Sequence, residues 1–230
     1  MTTIRCITFD LDDTLWECWP IIEKAEKAMY EWLNKHFPRV TNHRDFDTLL
    51  QHRIQFVKDR PNRHHNLTQL RKDWLSQLAH EHNYPKEACE EGYQVFWLAR
   101  NEVVFLEGIL NTLERLSSQY SLGVITNGNA DVAHIGVGHL FDFSIKSEDA
   151  GVAKPHPDIF HLASQYAKVP TSQILHVGDD PIADIKGAQA VGMKTLWVNY
   201  AQKDWKHDHQ PDAKIHHQGD LETTIRSLVE

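Results

Sequence analysis

The sequence predicts an α/β fold in which a parallel sheet with flanking helices is interrupted by one all-helical insertion. Short buried strands, the clearest at residues 4–9 and 121–126, alternate with amphipathic helices through the second half of the chain. Residues 17–101 show only helix-type hydrophobic spacing, and we find no convincing strand in this stretch. We therefore expect residues 1–16 and 102–230 to form one core, with residues 17–101 folding as a separate helical domain.

The inserted segment is predicted to be a four-helix bundle that buries its own hydrophobic core. Pro20 suits a first helical turn, and Pro38 ends the first helix. Apolar residues recur at helical spacing in four stretches, at residues 20–37, 45–59, 67–82 and 85–101.

Strand and helix alternate again after residue 101, as in a sheet whose parallel strands are joined by helices. The strands are predicted at residues 121–126, 141–145, 174–177, 194–198 and 213–216. The helices are predicted at residues 108–118, 158–166, 183–190 and 221–229, with a further helix beginning near residue 130. Residues 202–218 are polar and His-rich, so we expect a surface loop there.

Composition and charge narrow the class of partner. The chain has 230 residues, of which 41% are hydrophobic and 24% charged, and its net charge is −8 with His neutral. Such a charge argues against nucleic acid or an anionic membrane as the partner. Three cysteines without metal-site spacing suit a reducing compartment. Because the first strand leaves no room for a signal peptide and no apolar run could span a bilayer, we expect a cytoplasmic protein.

Polar side chains follow the predicted strands at the points where those strands end. Ligands bind at the carboxyl ends of the strands in open α/β sheets. Clustered carboxylates after a buried strand are costly unless a cation or hydrogen bonds compensate their charge. The sequence therefore predicts a metal-dependent active site at this edge of the sheet. The candidate residues are Asp10, Asp12, Thr126, Lys154, Asp179 and Asp180.

The order of these residues resembles the motif set of the haloacid dehalogenase (HAD) superfamily. Asp10-Leu-Asp-Asp-Thr14 matches the superfamily's Asp-x-Asp-x-Thr signature, and the threonine, lysine and acidic pair follow in the expected order. The resemblance implies a Rossmann-like HAD core with a parallel sheet. The inserted residues 17–101 lie between the first and second motifs, where the superfamily's all-α C1 caps lie, so a four-helix C1 cap is implied.

The resemblance also implies a role for each motif residue. Asp10 would be the nucleophile that forms an aspartyl-phosphate. Asp12 would be the general acid and base, since a residue two positions along an extended segment returns to the same side. Lys154 would place a positive charge between nucleophile and phosphate. The implied phosphate-binding residues are Leu11, Thr126, Asn127, Gly128 and Lys154. The implied Mg²⁺ ligands are Asp10, Asp12 through its carbonyl, Asp179 and Asp180.

Several acidic residues near these motifs have a second interpretation. Asp13 is adjacent to the motif positions, and we favour a cap of the following turn for it. Of the pair Asp179 and Asp180 we favour the first as the direct metal ligand, although both could cap the helix after Pro181. Asp184 is either a residue supporting the metal ligands or an ordinary surface aspartate.

The chemistry most consistent with these motifs is hydrolysis of a small phosphorylated metabolite. HAD dehalogenases lack the second aspartate because a halide needs no proton, so Asp12 favours phosphoryl chemistry; phosphonatases and mutases stay open. The motif sequences most resemble bacterial phosphatases acting on FMN and 5-amino-6-(5-phospho-D-ribitylamino)uracil. A pyrimidine nucleoside 5′-monophosphatase is the alternative, and a non-catalytic phosphometabolite-binding protein is an alternative of another class.

Two further residues are candidates for the substrate pocket. Trp16 lies beside the nucleophile and could stack on a flat ring of the substrate. Arg71 could reach the substrate, although a solvated helix face is the simpler interpretation of its position. The tryptophans of the helical segment fall at apolar helical positions, which is typical of a bundle core.

Overall fold

The computed structural model describes residues 3–229, which form two compact units. One unit contains Met1–Glu17 and Val104–Glu230, and the other contains Cys18–Val103. Residues 1, 2 and 230, which the sequence analysis assigned to the core, lie outside the described part of the chain.

The first unit is built on a six-stranded sheet in which every pairing is parallel. Its strands are β1 Cys6–Phe9, β2 Ser121–Thr126, β3 Phe143–Lys146, β4 Ile174–Gly178, β5 Lys194–Val198 and β6 Ala213–Ile215. The spatial order is β3-β2-β1-β4-β5-β6, so β1 is central. All four residues of β1 are buried, as expected for a parallel strand covered on both faces. The predicted α/β class is confirmed.

The second unit consists of helices with a hydrophobic core of its own. Its α-helices are α1 Cys18–His36, α2 Pro38–Thr41, α3 Phe46–Lys58, α4 Leu67–Glu81 and α5 Cys89–Arg100. Asp45 and Asn66 cap α3 and α4 through side-chain bonds to Thr48 and Gln69 amides. Apolar side chains at helical spacing, among them Met29 of α1, form one buried cluster. The short α2 is an addition to the four predicted helices.

The remaining helices belong to the first unit and connect or follow its strands. They are α6 Ile109–Ser117, α7 Val132–Ile135, α8 Ser147–Ala150, α9 Pro157–Ala167, α10 Gly187–Ala190 and α11 Leu221–Val229. Within residues 3–229, the structure has no helix both long and apolar enough to cross a bilayer.

The helix predicted at residues 183–190 differs from the structure at its start. Pro181–Lys186 is a π-helical turn, and α-helical geometry begins only at Gly187. The carbonyl of Asp180 accepts from the amides of both Asp184 and Ile185, at 3.0 and 3.2 Å, which widens the turn. Such single π-turns occur frequently at functional sites.

Candidate active site

Three adjacent strands bring polar residues to one edge of the sheet. Phe9 of β1 is in register with Val124 of β2 and Val177 of β4. The amide of Asp10 donates to the carbonyl of Val177 at 2.8 Å, which extends the β1–β4 ladder by one residue. Asp10 and Thr126 therefore meet at the carboxyl edge of the sheet, together with the residues that follow β4.

Lys154 is the buried cation of this edge. Its side chain is 2% exposed, and its ammonium lies 2.6 Å from Asp10 Oδ1 and 2.6 Å from Asp184 Oδ1. It also donates to the carbonyl of Ile125 at 2.7 Å. Burial would lower the pKa of Lys154, but the charges of Asp10 and Asp184 outweigh burial and raise it. The ammonium is therefore charged and held by oxygen atoms from three segments.

The side chain of Asn127 fastens the Lys154 loop to the end of β2. Its Nδ2 donates to the Lys154 carbonyl at 2.9 Å, and its Oδ1 accepts from the Lys154 amide at 2.8 Å. This paired bond fixes the backbone from which the buried lysine projects. From the sequence, Asn127 is implied only as a phosphate-binding residue. No sequence pattern marks its side chain as the partner of Lys154, which lies 27 positions later.

Thr126 is oriented by the residue that follows the turn. Thr126 is 1% exposed, and its Oγ1 accepts from the amide of Gly128 at 3.0 Å. Because this bond uses an oxygen lone pair, the hydroxyl proton is directed to a different acceptor. The amide of Gly128, a residue that the resemblance implies to bind phosphate, is thereby used inside the loop.

Asp10, Asp179 and Asp184 form the acidic cluster of the site. One oxygen from each carboxylate lies within 4.8 Å of the other two. Asp184 is 1% exposed, and its Oδ2 accepts from the amide of Asp180 at 2.9 Å. A Cβ at Gly178 would lie 2.3 Å from the Asp184 carboxylate, so the close approach of this side chain requires glycine there. Of the two interpretations left open by the sequence, surface aspartate is wrong.

The cluster carries more negative charge than Lys154 neutralises. Burial raises the pKa of Asp179 to about 8, and the charges of Asp184 and Asp10 add to this effect. Burial likewise raises the pKa of Asp10 to about 7, against the opposing effect of Lys154. Burial alone would raise the pKa of Asp184, but the neighbouring Lys154 and His176 lower it instead. For Asp10 and Asp179, the charged form is therefore disfavoured at neutral pH unless a further cation is present.

Asp180, which the sequence predicts as a metal ligand, is not among the three carboxylates of this cluster. Its side chain is exposed, and its Oδ1 accepts from the amides of Ile182 and Ala183 at 2.8 and 2.7 Å. These are the bonds of a helix N-cap, here at the start of the π-turn. Asp184, four residues later, occupies the position in the cluster that the sequence analysis gave to Asp180.

His176 supports Asp184 from inside the sheet. The ring is fully buried on β4, with Nε2 3.2 Å from Asp184 Oδ1 and Nδ1 2.9 Å from Thr8 Oγ1. Burial lowers the pKa of His176, so the neutral ring donates from Nε2 to the carboxylate and accepts at Nδ1 from the Thr8 hydroxyl. His176 was not among the candidate residues from the sequence, and its place in an apolar strand was the available signal.

Asp12 and Trp16 meet in the loop that follows β1. Asp12 is half-buried, and its Oδ1 accepts from the indole Nε1 of Trp16 at 2.8 Å. Trp16 is 0% exposed, so its ring offers no open face to a flat substrate. Stacking of Trp16 on the substrate, as expected from the sequence, is therefore not supported. Leu11, the implied phosphate-binding residue beside them, has a buried side chain and accepts from the Leu15 amide at 2.8 Å.

Arg71 lies inside the helical unit, where it pairs with a glutamate. Its two terminal nitrogens donate to Glu26 at 2.9 and 3.1 Å, and its guanidinium lies 3.4 Å from the ring centroid of Phe96. Only 8% of Arg71 is exposed. Arg71 is therefore neither on a solvated helix face nor on the wall of an open pocket. Its contacts with Glu26 and Phe96 lie within the helical unit.

Comparisons with known proteins identify the family of the chain. Residues 4–192 match the family model of the haloacid dehalogenase-like hydrolases. The chain is 31% identical over 200 residues to the 5-amino-6-(5-phospho-D-ribitylamino)uracil phosphatase YigB of Escherichia coli (strain K12), covering 85% of this chain and 83% of the relative. It is 30% identical over 218 residues to a glyceraldehyde 3-phosphate phosphatase of Pyrococcus furiosus, covering 88% and 83% respectively.

A solved structure extends the similarity to the whole fold. The crystal structure of a 2-haloacid dehalogenase from Pseudomonas syringae pv. Tomato DC3000 superposes with a TM-score of 0.90 at 37% identity. The superposition covers 98% of this chain and 99% of that one. By its family match, and by phosphatase relatives at this identity and coverage, the chain belongs to the haloacid dehalogenase-like hydrolases and is a phosphoric monoester hydrolase.

Proposed function

We propose that the protein hydrolyses a small phosphorylated metabolite through an aspartyl-phosphate on Asp10, with Mg²⁺ bound at the acidic cluster. The observation that carries this proposal is the position of Lys154, whose ammonium bridges Asp10 and Asp184 at 2.6 Å each. This one buried cation contacts two of the three carboxylates of the cluster, so the cluster keeps a surplus of negative charge. That residues 18–103 act as the cap of this core, as the resemblance implies, is part of the same proposal.

The residues of the cluster fit a hard divalent cation. Asp10, Asp179 and Asp184 offer carboxylate oxygens within 4.8 Å of one another, which is the donor type that Mg²⁺ prefers. Burial, together with the charges of neighbouring carboxylates, raises the pKa of Asp10 and of Asp179, so a bound cation would favour their charged forms. When bound there, Mg²⁺ would supply charge that reduces repulsion between these carboxylates and an incoming phosphate.

Each step of the proposed reaction is assigned to a residue of this chain. Lys154 holds Oδ1 of Asp10, so that the carboxylate is oriented for attack on phosphorus. Thr126 donates its hydroxyl proton to a phosphoryl oxygen. Asp12 protonates the departing alcohol, and in the second half-reaction it takes a proton from the water that cleaves the aspartyl-phosphate. Lys154 stabilises the charge on the phosphoryl oxygens in both steps.

The proposed substrate is FMN or 5-amino-6-(5-phospho-D-ribitylamino)uracil. The motif sequences support this choice, and so does the E. coli relative, which is named for the second compound. The alternative is a pyrimidine nucleoside 5′-monophosphate. The glyceraldehyde 3-phosphate phosphatase relative makes a triose phosphate a necessary member of any substrate panel.

Phosphate release from a panel of esters tests the proposal. The panel contains FMN, the ribitylaminouracil phosphate, UMP, dUMP and glyceraldehyde 3-phosphate, each with Mg²⁺ and with EDTA. We expect turnover that EDTA abolishes, with a flavin-pathway ester highest in kcat/KM. A higher kcat/KM for UMP or dUMP would show that the preferred substrate is a pyrimidine nucleotide. Undiminished turnover in EDTA would contradict the proposed metal dependence.

Dehalogenation of a 2-haloacid is the reaction to test beside phosphate release, because the superposed Pseudomonas structure is named as a 2-haloacid dehalogenase. The two reactions differ in their need for a proton donor, since a departing halide needs none. Asp12→Asn should therefore abolish phosphate release, whereas Asp13→Asn, its exposed neighbour, should retain it. Halide release from a 2-haloacid, undiminished in Asp12→Asn, would instead establish the dehalogenase.

A further inference from the structure

The loop after β1 turns back so that Trp16 lies beside Asp12. The amide of Asp13 donates to the carbonyl of Trp16 at 2.8 Å, and the amide of Leu15 donates to the carbonyl of Leu11 at 2.8 Å. Asp13 has a φ of 57°, the left-handed conformation that aspartate tolerates better than most residues. Asp12 and Trp16 consequently form an isolated β-bridge within one tight loop.

The indole of Trp16 is held in place by the chain segment that re-enters the first unit. Its ring packs edge-on against Phe105, with 5.3 Å between the ring centroids and an interplanar angle of 87°. Trp16 and Phe105 also form an antiparallel bridge, and Leu106 donates to the carbonyl of Leu15 at 3.0 Å. With no exposed surface and packed on an aromatic edge, the ring presents its N–H group from a fixed position.

We propose that Trp16 is a positioning residue that orients the carboxyl group of Asp12 for proton transfer; this inference rests on the proposed function. The indole N–H is a donor only, and it is directed at Oδ1 of Asp12 at 2.8 Å. A proton on Oδ1 would oppose this donor, so the acid form of Asp12 carries its proton on Oδ2. Trp16 therefore decides which oxygen transfers the proton.

The resulting proton transfers balance over one turnover. As the Asp10–phosphorus bond forms and the ester P–O bond breaks, the Oδ2 proton of Asp12 passes to the leaving alkoxide. In the second half-reaction, water attacks phosphorus, its proton returns to Oδ2, and the Asp10 carboxylate leaves. No oxidant or further reactant is needed.

A purely structural role for the same bond makes a different prediction. A buried indole N–H normally has an acceptor, and Asp12 would satisfy this requirement whatever the reaction. Loss of a structural bond would lower activity on every ester alike. Loss of proton positioning would affect only those esters whose leaving group must be protonated.

The decisive variant is Trp16→Phe, which keeps an aromatic ring and removes the N–H donor. Its kcat/KM is measured with glycerol phosphate, whose alkoxide must be protonated, and with p-nitrophenyl phosphate, whose phenolate leaves without a proton. We use kcat/KM because it reports the steps up to formation of the phosphoenzyme. We expect a loss on the order of tenfold for the alkyl ester and a change within about twofold for the aryl ester.

Two control variants separate positioning from loss of stability. Trp74→Phe makes the same change at a buried indole of the helical unit, whose N–H donates to His52 at 2.9 Å, and it should leave the alkyl-to-aryl ratio unchanged. If Trp16→Phe is unfolded at the assay temperature, Phe105→Leu provides the test. That variant loosens the indole and keeps the donor, so it should lower the alkyl ester's kcat/KM more than that of the aryl ester.

The outcomes distinguish this inference from the proposed function. Equal losses on both esters in Trp16→Phe, or in Phe105→Leu where that variant replaces it, would overturn the positioning role while leaving the phosphatase in place. A wild-type protein that releases phosphate from no ester, including the metabolite panel, would overturn the proposed mechanism and this role with it.

Discussion

Each unit of the protein buries a cluster of charges, and the two clusters have opposite balances. In the helical unit one carboxylate, Glu26, lies between two guanidinium groups, 2.7 Å from Arg53 and 2.9 Å from Arg71. At the edge of the sheet, the cluster of three carboxylates has one ammonium, that of Lys154, which contacts Asp10 and Asp184. The first cluster has a surplus of positive charge and the second a surplus of negative charge.

The difference indicates which cluster is structural and which is functional. Glu26 already has two cationic partners from its own unit, and burial together with the Arg71 charge lowers the pKa of Arg53 to about 10. In the sheet unit burial, together with the charges of Asp184 and Asp10, raises the pKa of Asp179 to about 8, which is a large departure for a carboxyl group. Residues with perturbed pKa values beside a buried counter-charge are typical of active sites. Buried charge alone is therefore a weaker indicator of function than a surplus of buried carboxylates whose pKa values are strongly raised.

The largest expected effect is that of removing the nucleophile. Asp10→Asn should lower phosphate release by on the order of 10⁴-fold or more, because an amide does not form the aspartyl-phosphate. Steady-state phosphate release measures this loss, and thermal melting checks that the variant is folded. Retention of more than about a tenth of the activity in folded protein would exclude Asp10 as the nucleophile.

The next largest effect concerns the helical cluster and should appear in stability. Glu26→Gln removes the carboxylate that Arg53 and Arg71 share, so two guanidinium groups stay buried without an anion. We expect a loss of about 3–5 kcal/mol in the free energy of unfolding, measured by urea denaturation. The matched control is Glu23→Gln, whose carboxylate pairs with Lys27 at the surface, and it should change stability by less than about 1 kcal/mol. A loss as small in Glu26→Gln as in the control would contradict the structural role.

Removing a carboxylate charge from the sheet cluster should raise stability, whereas removing Glu26 from the helical cluster should lower it. Because the pKa of Asp179 is raised from 3.8 to about 8, the folded state holds a proton that the unfolded state releases between about pH 4 and 8. Stability of the metal-free protein should therefore fall as pH rises through this window. Asp179→Asn removes this contribution, so its melting temperature in EDTA should exceed that of the wild type at pH 8 and converge with it toward pH 4.

The neighbouring aspartate should have the smallest effect. Asp180→Asn retains an oxygen that accepts from Ile182 and Ala183, and asparagine is as good an N-cap as aspartate. We expect kcat/KM for the preferred ester to stay within about twofold of the wild-type value. A loss of kcat/KM on the order of tenfold or more in Asp180→Asn would place Asp180 in the metal site after all.

Local sequence patterns predicted the fold class and several residues of the candidate site. Alternating apolar strands and helices predicted the α/β class, and the strand ends placed Asp10, Thr126 and Lys154 among the candidates. That Asp184 rather than Asp180 joins the acidic cluster could not be predicted. It depends on the π-turn, which brings the Asp184 side chain close to Gly178.

The partners of three other residues are also set by tertiary structure. Asn127 bonds to a loop 27 residues away, and His176 bonds to Thr8 on the adjacent strand. Trp16 is removed from solvent by packing on Phe105, which lies 89 positions further along the chain. A single sequence contains no periodicity that marks such long-range pairs, so these roles needed coordinates.

Calorimetric titration of Mg²⁺ into metal-free protein tests the central claim most directly, since it needs no substrate. The wild type and Asp180→Asn should bind with the same affinity, and Asp179→Asn should bind at least about tenfold more weakly, because it removes one of three carboxylates of the cluster. Equal binding by all three proteins, or a loss confined to Asp180→Asn, would contradict the assignment of the acidic cluster as the metal site.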